Sequence, residues 1–328
     1  MEVVKFDIAG VLESINTEIN DLKFDRKPAE LYNPVKYVLD LGGKRIRPLL
    51  AVMGCYLFDN DYEKSIKPAI SIELFHNFTL IHDDIMDKAP LRRGKPTVHE
   101  KWNQNIALLS GDVALIEAYE YLENLDSSIR LEIFKLFNLT AKQVCEGQQL
   151  DMNFEKNDRV SIEEYIEMIG LKTAVLLGFS MYMGARIGSA SIPQAQQLYE
   201  VANDIGIAFQ IKDDYLDVYG DEDKFGKQLG GDIIAQKKTY LLLTALEKAD
   251  AETLSRLKQV LSSKLFPNYE KVNEVVKIYN RLNVNEVAQK AIDFYFNKAL
   301  NNLTSIQADS LKKEFLINYF KQLMDRES

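Results

Sequence analysis

The sequence predicts an all-α protein of a dozen or so helices, organised as one domain over residues 1–328. Three observations lead there. Apolar residues recur at three- and four-residue spacings along most of the chain. Strand-like alternation broken by Asn-Gly turns is missing. Only 8 prolines occur, and Pro34, Pro48, Pro90 and Pro193 fall near expected helix starts or in loops.

The helices follow in order. SIKPAISIELFHNFTLIHDDIMD, residues 65–87, places Ile70, Leu74, Phe78 and Ile81 on one stripe. NIALLSGDVALIEAYEYLENL does the same with Ile106, Leu109, Val113, Ile116 and Tyr119. IRLEIFKLFNLTAKQVCEGQQLDM and QAQQLYEVANDIGIAFQIKDDYLDVYG complete the set of long elements. The segments 24–30, 88–97, 154–161 and 220–236 read as ordinary loops, and no low-complexity linker divides the chain.

Composition narrows the function. Apolar residues are 46% and charged residues 27%, enough for a real core. The net charge of −9, from 40 basic and 49 acidic side chains, argues against a nucleic-acid partner. A local basic cluster could still bind an anion. Two cysteines, Cys55 and Cys145, make no disulfide framework. The start, MEVVKFDIAGVLESI, carries Glu2 and Asp7 and does not read as a secretory signal. No run reaches the roughly 18 to 20 apolar residues of a membrane span. The expectation is a cytoplasmic protein without membrane insertion.

The chemistry concentrates in residues 80–97, LIHDDIMDKAPLRRGKPT. Asp83, Asp84 and Asp87 stand just before Arg92 and Arg93. On a helix, residues i and i+4 lie about 40° apart around the axis and about 6 Å along it. Asp83 and Asp87 therefore share a face, at a repulsive cost. HDDIMD at 82–87 is echoed by KDDYLD at 212–217, where Asp213 and Asp217 repeat the geometry. Either motif alone could be a solvated acidic helix end. Two together point to halves of one site that binds cations, and carboxylate oxygen suits Mg²⁺ with positions left for substrate phosphates. An EF-hand starting at Asp221 fails, because Phe225 falls where an oxygen ligand belongs.

Metal ions alone leave Arg92 and Arg93 without a role. Arginine forks bind phosphate oxygens in pairs. GGKRIRP at 42–48 supplies Lys44, Arg45 and Arg47 from the start of a helix, after two glycines that let the backbone approach closely. Lys172 in GLKTA, Lys227 in FGKQLGGD, and Lys237 and Lys238 in AQKKT add further cations. A lone lysine is usually solvated. Their number beside two acidic platforms suggests a site for two diphosphates, one held through metal and one by cations directly.

The motifs GGKRIRP, ELFHNFTLIHDDIMD, LRRGKPT, GQQLD, GLKTA, FQIKDDYLD and FGKQLGGD, in that order, resemble the trans-type polyprenyl (isoprenyl) diphosphate synthases. The likeness covers nearly the whole chain and thins over the last 80 or so residues. It implies a single polyprenyl synthase domain, a helical bundle around a central cavity (the isoprenoid synthase type I fold). It also implies Mg²⁺-dependent head-to-tail coupling of isopentenyl diphosphate to an allylic diphosphate, with three Mg²⁺ ions and a homodimer. By resemblance, Asp83 and Asp87 are Mg²⁺ ligands supported by Asp84, and Asp213 is a ligand with Asp214 and Asp217 nearby. Lys44, Arg47, His76 and Arg93 resemble the isopentenyl diphosphate pocket. Arg92, Lys172, Lys227 and Lys237 resemble the clamp on the allylic diphosphate. Thr173 and Gln210 fall where polar oxygens face the developing carbocation, and Gln148 and Asp151 match a further site motif. In the family the departing diphosphate accepts the proton, so no side chain is nominated as base. His82 reads as a packed or supporting histidine.

Product length is set, by resemblance, by an aromatic floor at Phe78, five residues and about 7.5 Å before Asp83. Thr79 is small, and the motif carries no insertion. The pocket should yield a C20 or C15 product, C20 being favoured. The end, QLMDRES, lacks the basic tail of some family members. Rival readings are a class I terpene cyclase, a catalytically silent partner subunit, and a metal-dependent phosphohydrolase. The last has only His76, His82 and His99 to draw on.

Overall fold

A computed structural model describes residues 6–157, 159–220, 229–263 and 266–325. The described residues are overwhelmingly helical. Chain packing divides the protein into two compact units. The first comprises 1–140, 176–199 and 306–312, and the second 141–175, 200–305 and 313–328.

The first unit starts with α1 (Ile8–Asn20), whose N-cap Asp7 accepts a hydrogen bond from Ala9 N–H. It continues with α2 (Ala29–Asp40) and α3 (Ile46–Phe58). Pro34 lies one turn inside α2, not at its start. There its ring removes one helical hydrogen bond. The centre is α4 (Ile66–Met86). Every residue from Ala69 to Phe75 is buried, whichever face it occupies. A helix buried all round is a core element, so an amphipathic stripe understates it. α4 packs along α6 (Gln104–Leu122), which follows the single turn α5 (Val98–Lys101) and begins at the N-cap Asn103. α7 (Ser127–Lys156) starts in this unit. The core aromatics Phe75, Phe137 and Phe179 pack in sequence with centroids 5.2 and 5.4 Å apart, the first pair edge to face and the second tilted. Burying each such ring contributes about 1.5–3 kcal/mol.

The segment before α5 also departs from expectation. The segment 88–97 is not a plain loop but a short hairpin, β1 (Leu91–Arg92) against β2 (Lys95–Pro96), with Arg92 opposite Lys95. The turn residues Arg93 and Gly94 have φ of 53° and 73°. Positive φ at both central residues is what a type I′ turn requires. Arg-Gly fills the place where Asn-Gly was sought, and two residues per strand leave no alternation to read.

The second unit holds the C-terminal part of α7, α8 (Ile162–Ile169), most of α10 (Ile192–Tyr219) and the later helices. These are α11 (Gly231–Ala235), α12 (Tyr240–Lys248), α13 (Ala251–Ser262), α14 (Asn268–Arg281), α15 (Val284–Ser305) and α16 (Ser310–Met324). Its core gathers Ile211, Leu241, Leu257, Val260, Val275, Tyr279 and Val284, all under 2% exposed. A capping box between Ser161 and Glu164 opens α8.

α8 runs through a π-helical turn, Gly170–Ala174, into α9 (Val175–Ile187). Over Ile162–Ile187 the mean hydropathy reaches 1.4, long and apolar enough for a membrane crossing. That corrects the expectation that no such run exists. Yet 83% of its window is buried in the protein, as in a core helix.

Candidate active site

Each unit carries one acidic motif, and in both the motif sits at the C-terminal end of a long helix. In the first unit, Asp83 and Asp84 occupy the last turn of α4. Asp87 is its C-cap, with its N–H 2.8 Å from Asp83 O. Carboxylates at a helix C-terminus face the negative end of the dipole, which costs about 0.3–1 kcal/mol each. A nearby cation offsets that cost, and the chain supplies one. Arg92 Nε lies 2.9 Å from both oxygens of Asp84, and its Nη2 lies 2.8 Å from Oδ1. Nη2 also stands 3.6 Å from Asp83 Oδ2. Asp84 is 4% exposed and serves as the anchor of Arg92. Asp83 and Asp87 are more open to solvent.

Next to this motif lies a cationic cluster. Arg47 Nη1 approaches His76 Nε2 at 3.2 Å. A guanidinium only donates, so Nε2 must accept, which places the proton of a neutral His76 on Nδ1. Burial, and then the charges of Arg47, Arg93, Arg92 and Arg45, hold His76 well below the usual imidazole range. It stays neutral at physiological pH. Burial pulls Arg47 down to about 10, against the opposing pull of Glu73. Arg93 is likewise lowered, first by burial and then by Arg45 and Arg92, against Glu73. Glu73 itself already binds Arg45 and accepts from Asn77 Nδ2. The cluster therefore holds more positive than negative charge in a half-buried place, the condition for binding an anion.

The local backbone explains the gathering. Arg93 sits at φ 53°, a left-handed conformation costing about 1–2 kcal/mol for a non-glycine residue. Its guanidinium lies over Gly43, where a Cβ would stand 2.9 Å from Arg93 Nη2. Gly43, at φ 149°, is thus needed both for conformation and for space. Lys44 follows it, exposed, and Arg47 is the second residue of α3. Arg45 departs from the expectation that it projects beside them. It is 5% exposed and braces three helices through Asn16 Oδ1, Leu39 O and Glu73.

The tail-facing residues expected on α4 are also in this unit. Phe78 is half-buried, its ring 5.6 Å from Phe75 and 4.8 Å from His82. Thr79 Oγ1 donates to His76 O at 2.7 Å, which hides its polarity on the helix. His82 packs against Gly111 of α6, and its Nε2 lies 3.1 Å from Leu108 O. It takes the packed role expected of it.

The second unit mirrors this arrangement. Asp213, Asp214 and Asp217 lie in the last two turns of α10. Asp213 is exposed. Asp214 Oδ2 accepts from Tyr165 Oη at 2.6 Å and from Tyr240 N–H at 2.8 Å. Burial pushes the Asp214 carboxyl up to about 8, although both hydrogen bonds pull it down. Asp217 Oδ2 accepts from Asp232 N–H at 3.0 Å, and its carbonyl from Gly230 N–H at 2.6 Å, which fixes the loop into α11. The π turn presents Lys172, whose Nζ lies 2.6 Å from Asp151 Oδ2 on α7. Single π turns within α-helices are frequent at functional sites. α7 reaches this turn through Gly147, where a Cβ would stand 2.3 Å from Lys172 N. Gln148, the next residue, has a buried Nε2 with no hydrogen-bond partner. Thr173 and Gln210 are half-buried and Lys237 is exposed. Lys227 lies outside the described residues.

The donor set fits magnesium. Among the described residues no group of three or more His, Cys, Asp or Glu closes a cage. Each helix end instead offers a few hard carboxylate oxygens, leaving octahedral positions for water and phosphate. Sequence reasoning missed Tyr165, Gly147 and the Arg45 brace. Gly147 is the first residue of GQQLD, a motif matched through Gln148 and Asp151 without a role for its glycine.

Comparison with known proteins gives the family and the fold. The family described as "Polyprenyl synthetase" matches residues 28–279. A short chain isoprenyl diphosphate synthase of Methanocaldococcus jannaschii is 39% identical, over 84% of this chain and 83% of its own. A geranylgeranyl diphosphate synthase of Saccharolobus solfataricus is 36% identical over 87% of each. The crystal structure of a geranylgeranyl pyrophosphate synthase superposes with a TM-score of 0.91 and 40% identity, covering 99% of this chain and 100% of that one.

Proposed function

We propose a residue-by-residue reading for a chain that belongs to the polyprenyl synthetase family. It is a short-chain trans-prenyl diphosphate synthase, a transferase with the all-α isoprenoid synthase fold. It condenses isopentenyl diphosphate with an allylic diphosphate head to tail. The C1–O bond of the allylic substrate breaks, the C3=C4 double bond of isopentenyl diphosphate forms the C1–C4 bond, and the C2–H bond breaks to give a C2=C3 double bond, the departing diphosphate taking the proton. We assign both units to one synthase domain.

The observation that carries the site reading is the excess of guanidinium charge around His76. There Lys44, Arg47, His76 and Arg93 bind isopentenyl diphosphate. Asp83 and Asp87 at the end of α4, and Asp213 at the end of α10, hold Mg²⁺, three ions when substrate is bound. Bound magnesium supplies charge to stabilise the departing diphosphate. Arg92, Lys172, Lys227 and Lys237 clamp the allylic diphosphate. Thr173 and Gln210 face the developing cation with neutral oxygens, with Gln148 beside them. Water must be excluded while that cation lives.

Phe78, with Thr79 beside it, sets the tail depth, and we read the product as C20. The purified chain with Mg²⁺, isopentenyl diphosphate and C5, C10 or C15 primers should give a C20 alcohol after dephosphorylation. Phe78→Ala should lengthen that product by one or more five-carbon units. Unchanged length would remove Phe78 as the floor. No elongation from any primer would return the silent-subunit or cyclase reading.

The chain acts as a cytoplasmic homodimer in this reading. Leu109 and Ile116 on α6 are each 58% exposed, and Leu131 on α7 is 67% exposed. Apolar side chains bared along two helices of one unit fit a second copy of the chain. Sedimentation should give twice the chain mass of 37.5 kDa. Ile116→Glu should shift it to one, whereas a monomeric wild type would reject the dimer.

A further inference from the structure

Asp214 sits next to Asp213 yet faces elsewhere. Neighbouring residues on a helix point about 100° apart. Asp213 is exposed, and Asp214 turns toward Tyr165, which is 3% exposed. Two donors, Tyr165 Oη at 2.6 Å and Tyr240 N–H at 2.8 Å, converge on one oxygen, Oδ2. A carboxylate oxygen has two lone pairs in its plane, so Oδ2 has both engaged. The rings of Tyr165 and Tyr240 pack at 6.2 Å, edge toward face.

These three groups come from three different segments. Tyr165 lies on α8, five residues before the π turn that carries Lys172 and Thr173. Asp214 lies on α10, one residue after Asp213. Tyr240 opens α12, three residues after Lys237. One oxygen atom thus ties together three stretches that bear proposed site residues.

We propose that Tyr165 and Asp214 are a positioning pair: they set Asp213 and the Lys172 turn in register without themselves touching substrate or metal. The proposal rests on the assignment of Asp213 to Mg²⁺. It makes the second aspartate of KDDYLD an acceptor whose negative charge is dispensable. Tyr165 carries it further, because nothing in the acidic motif itself points to α8.

The test uses the full-length enzyme and three variants. Asp214→Asn keeps an oxygen that can accept both hydrogen bonds, so turnover should stay within about fivefold of wild type. Asp213→Asn should lose it by about 10³-fold. Tyr165→Phe removes one of the two donors that hold Asp214 Oδ2. Its kcat should fall about tenfold and its half-saturating Mg²⁺ should rise severalfold. KM for isopentenyl diphosphate, assigned to residues of the other unit, should stay unchanged. A merely structural tyrosine would lower the melting temperature without moving the Mg²⁺ response. If Asp214→Asn is as inactive as Asp213→Asn, Asp214 is a ligand and the positioning role falls. An unaltered Mg²⁺ response in Tyr165→Phe overturns it as well. Activity retained in Asp213→Asn instead removes the metal assignment, and the proposal with it, by a result that no Asp214 variant can mimic.

Discussion

Asp83→Asn should lower turnover by about 10³-fold or more while leaving the protein folded and no less stable. The two halves of this result have different origins. Asp83 shares a helix face with Asp87 and stands at the end of α4, where the dipole already repels it. Removing its charge relieves that repulsion, so the melting temperature should hold or rise slightly. Arg92 keeps its main partner, because its fork is closed on Asp84 and only 3.6 Å from Asp83. Activity has no such substitute. Single-turnover measurement at saturating Mg²⁺, paired with a thermal melt, reads both. Near-normal turnover would take Asp83 out of the metal site.

Gly147→Ala should damage catalysis strongly although it touches no charged or polar side chain. Its Cβ would meet Lys172 N at 2.3 Å, Lys172 Cα at 2.7 Å and the Leu171 carbonyl carbon at 2.8 Å. These are backbone atoms, so no side chain can swing aside. Either α7 or the π turn must move, at about 1–3 kcal/mol. A displacement near 1 Å of Lys172 and Thr173 should cut kcat about 10²-fold. KM for isopentenyl diphosphate should change little. Gly170→Ala provides the control, since nothing lies within 4 Å of the added carbon. Equal behaviour of the two variants would show that the close approach of α7 is unimportant.

Much of this was legible in the residues. The long helices α4, α6, α7 and α10 declare themselves through spacing, and the repeated DDxxD pattern locates both acidic ends. What stayed hidden depends on contacts that spacing cannot encode. Lys44, Arg45 and Arg47 look alike in GGKRIRP, yet Arg45 is a buried brace and Lys44 is exposed. The difference arises from Glu73, which lies 28 residues on and a helix away. The hairpin at 91–96 escaped because its strands are two residues long and Arg takes a turn position usually given to Asn. Tyr165 escaped because one buried tyrosine on an amphipathic helix resembles any other. The apolar stretch 162–187 went unread as one element, because the acidic residues of α8 and Lys172 interrupt its apolar run.

The resting pairs Arg92–Asp84 and Lys172–Asp151 have a consequence for selectivity. In the proposed clamp each cation meets the incoming diphosphate already satisfied, so binding there is an exchange of partners and not a simple gain. Inorganic phosphate, with a single phosphoryl group and no hydrocarbon tail, would only replace contacts that the aspartates already make and would gain little. A prenyl diphosphate bound through several oxygens and its hydrocarbon tail can outbid the aspartates at many points together. The carboxylates would then act as internal competitors, keeping the enzyme open to its substrates in a cell crowded with phosphate.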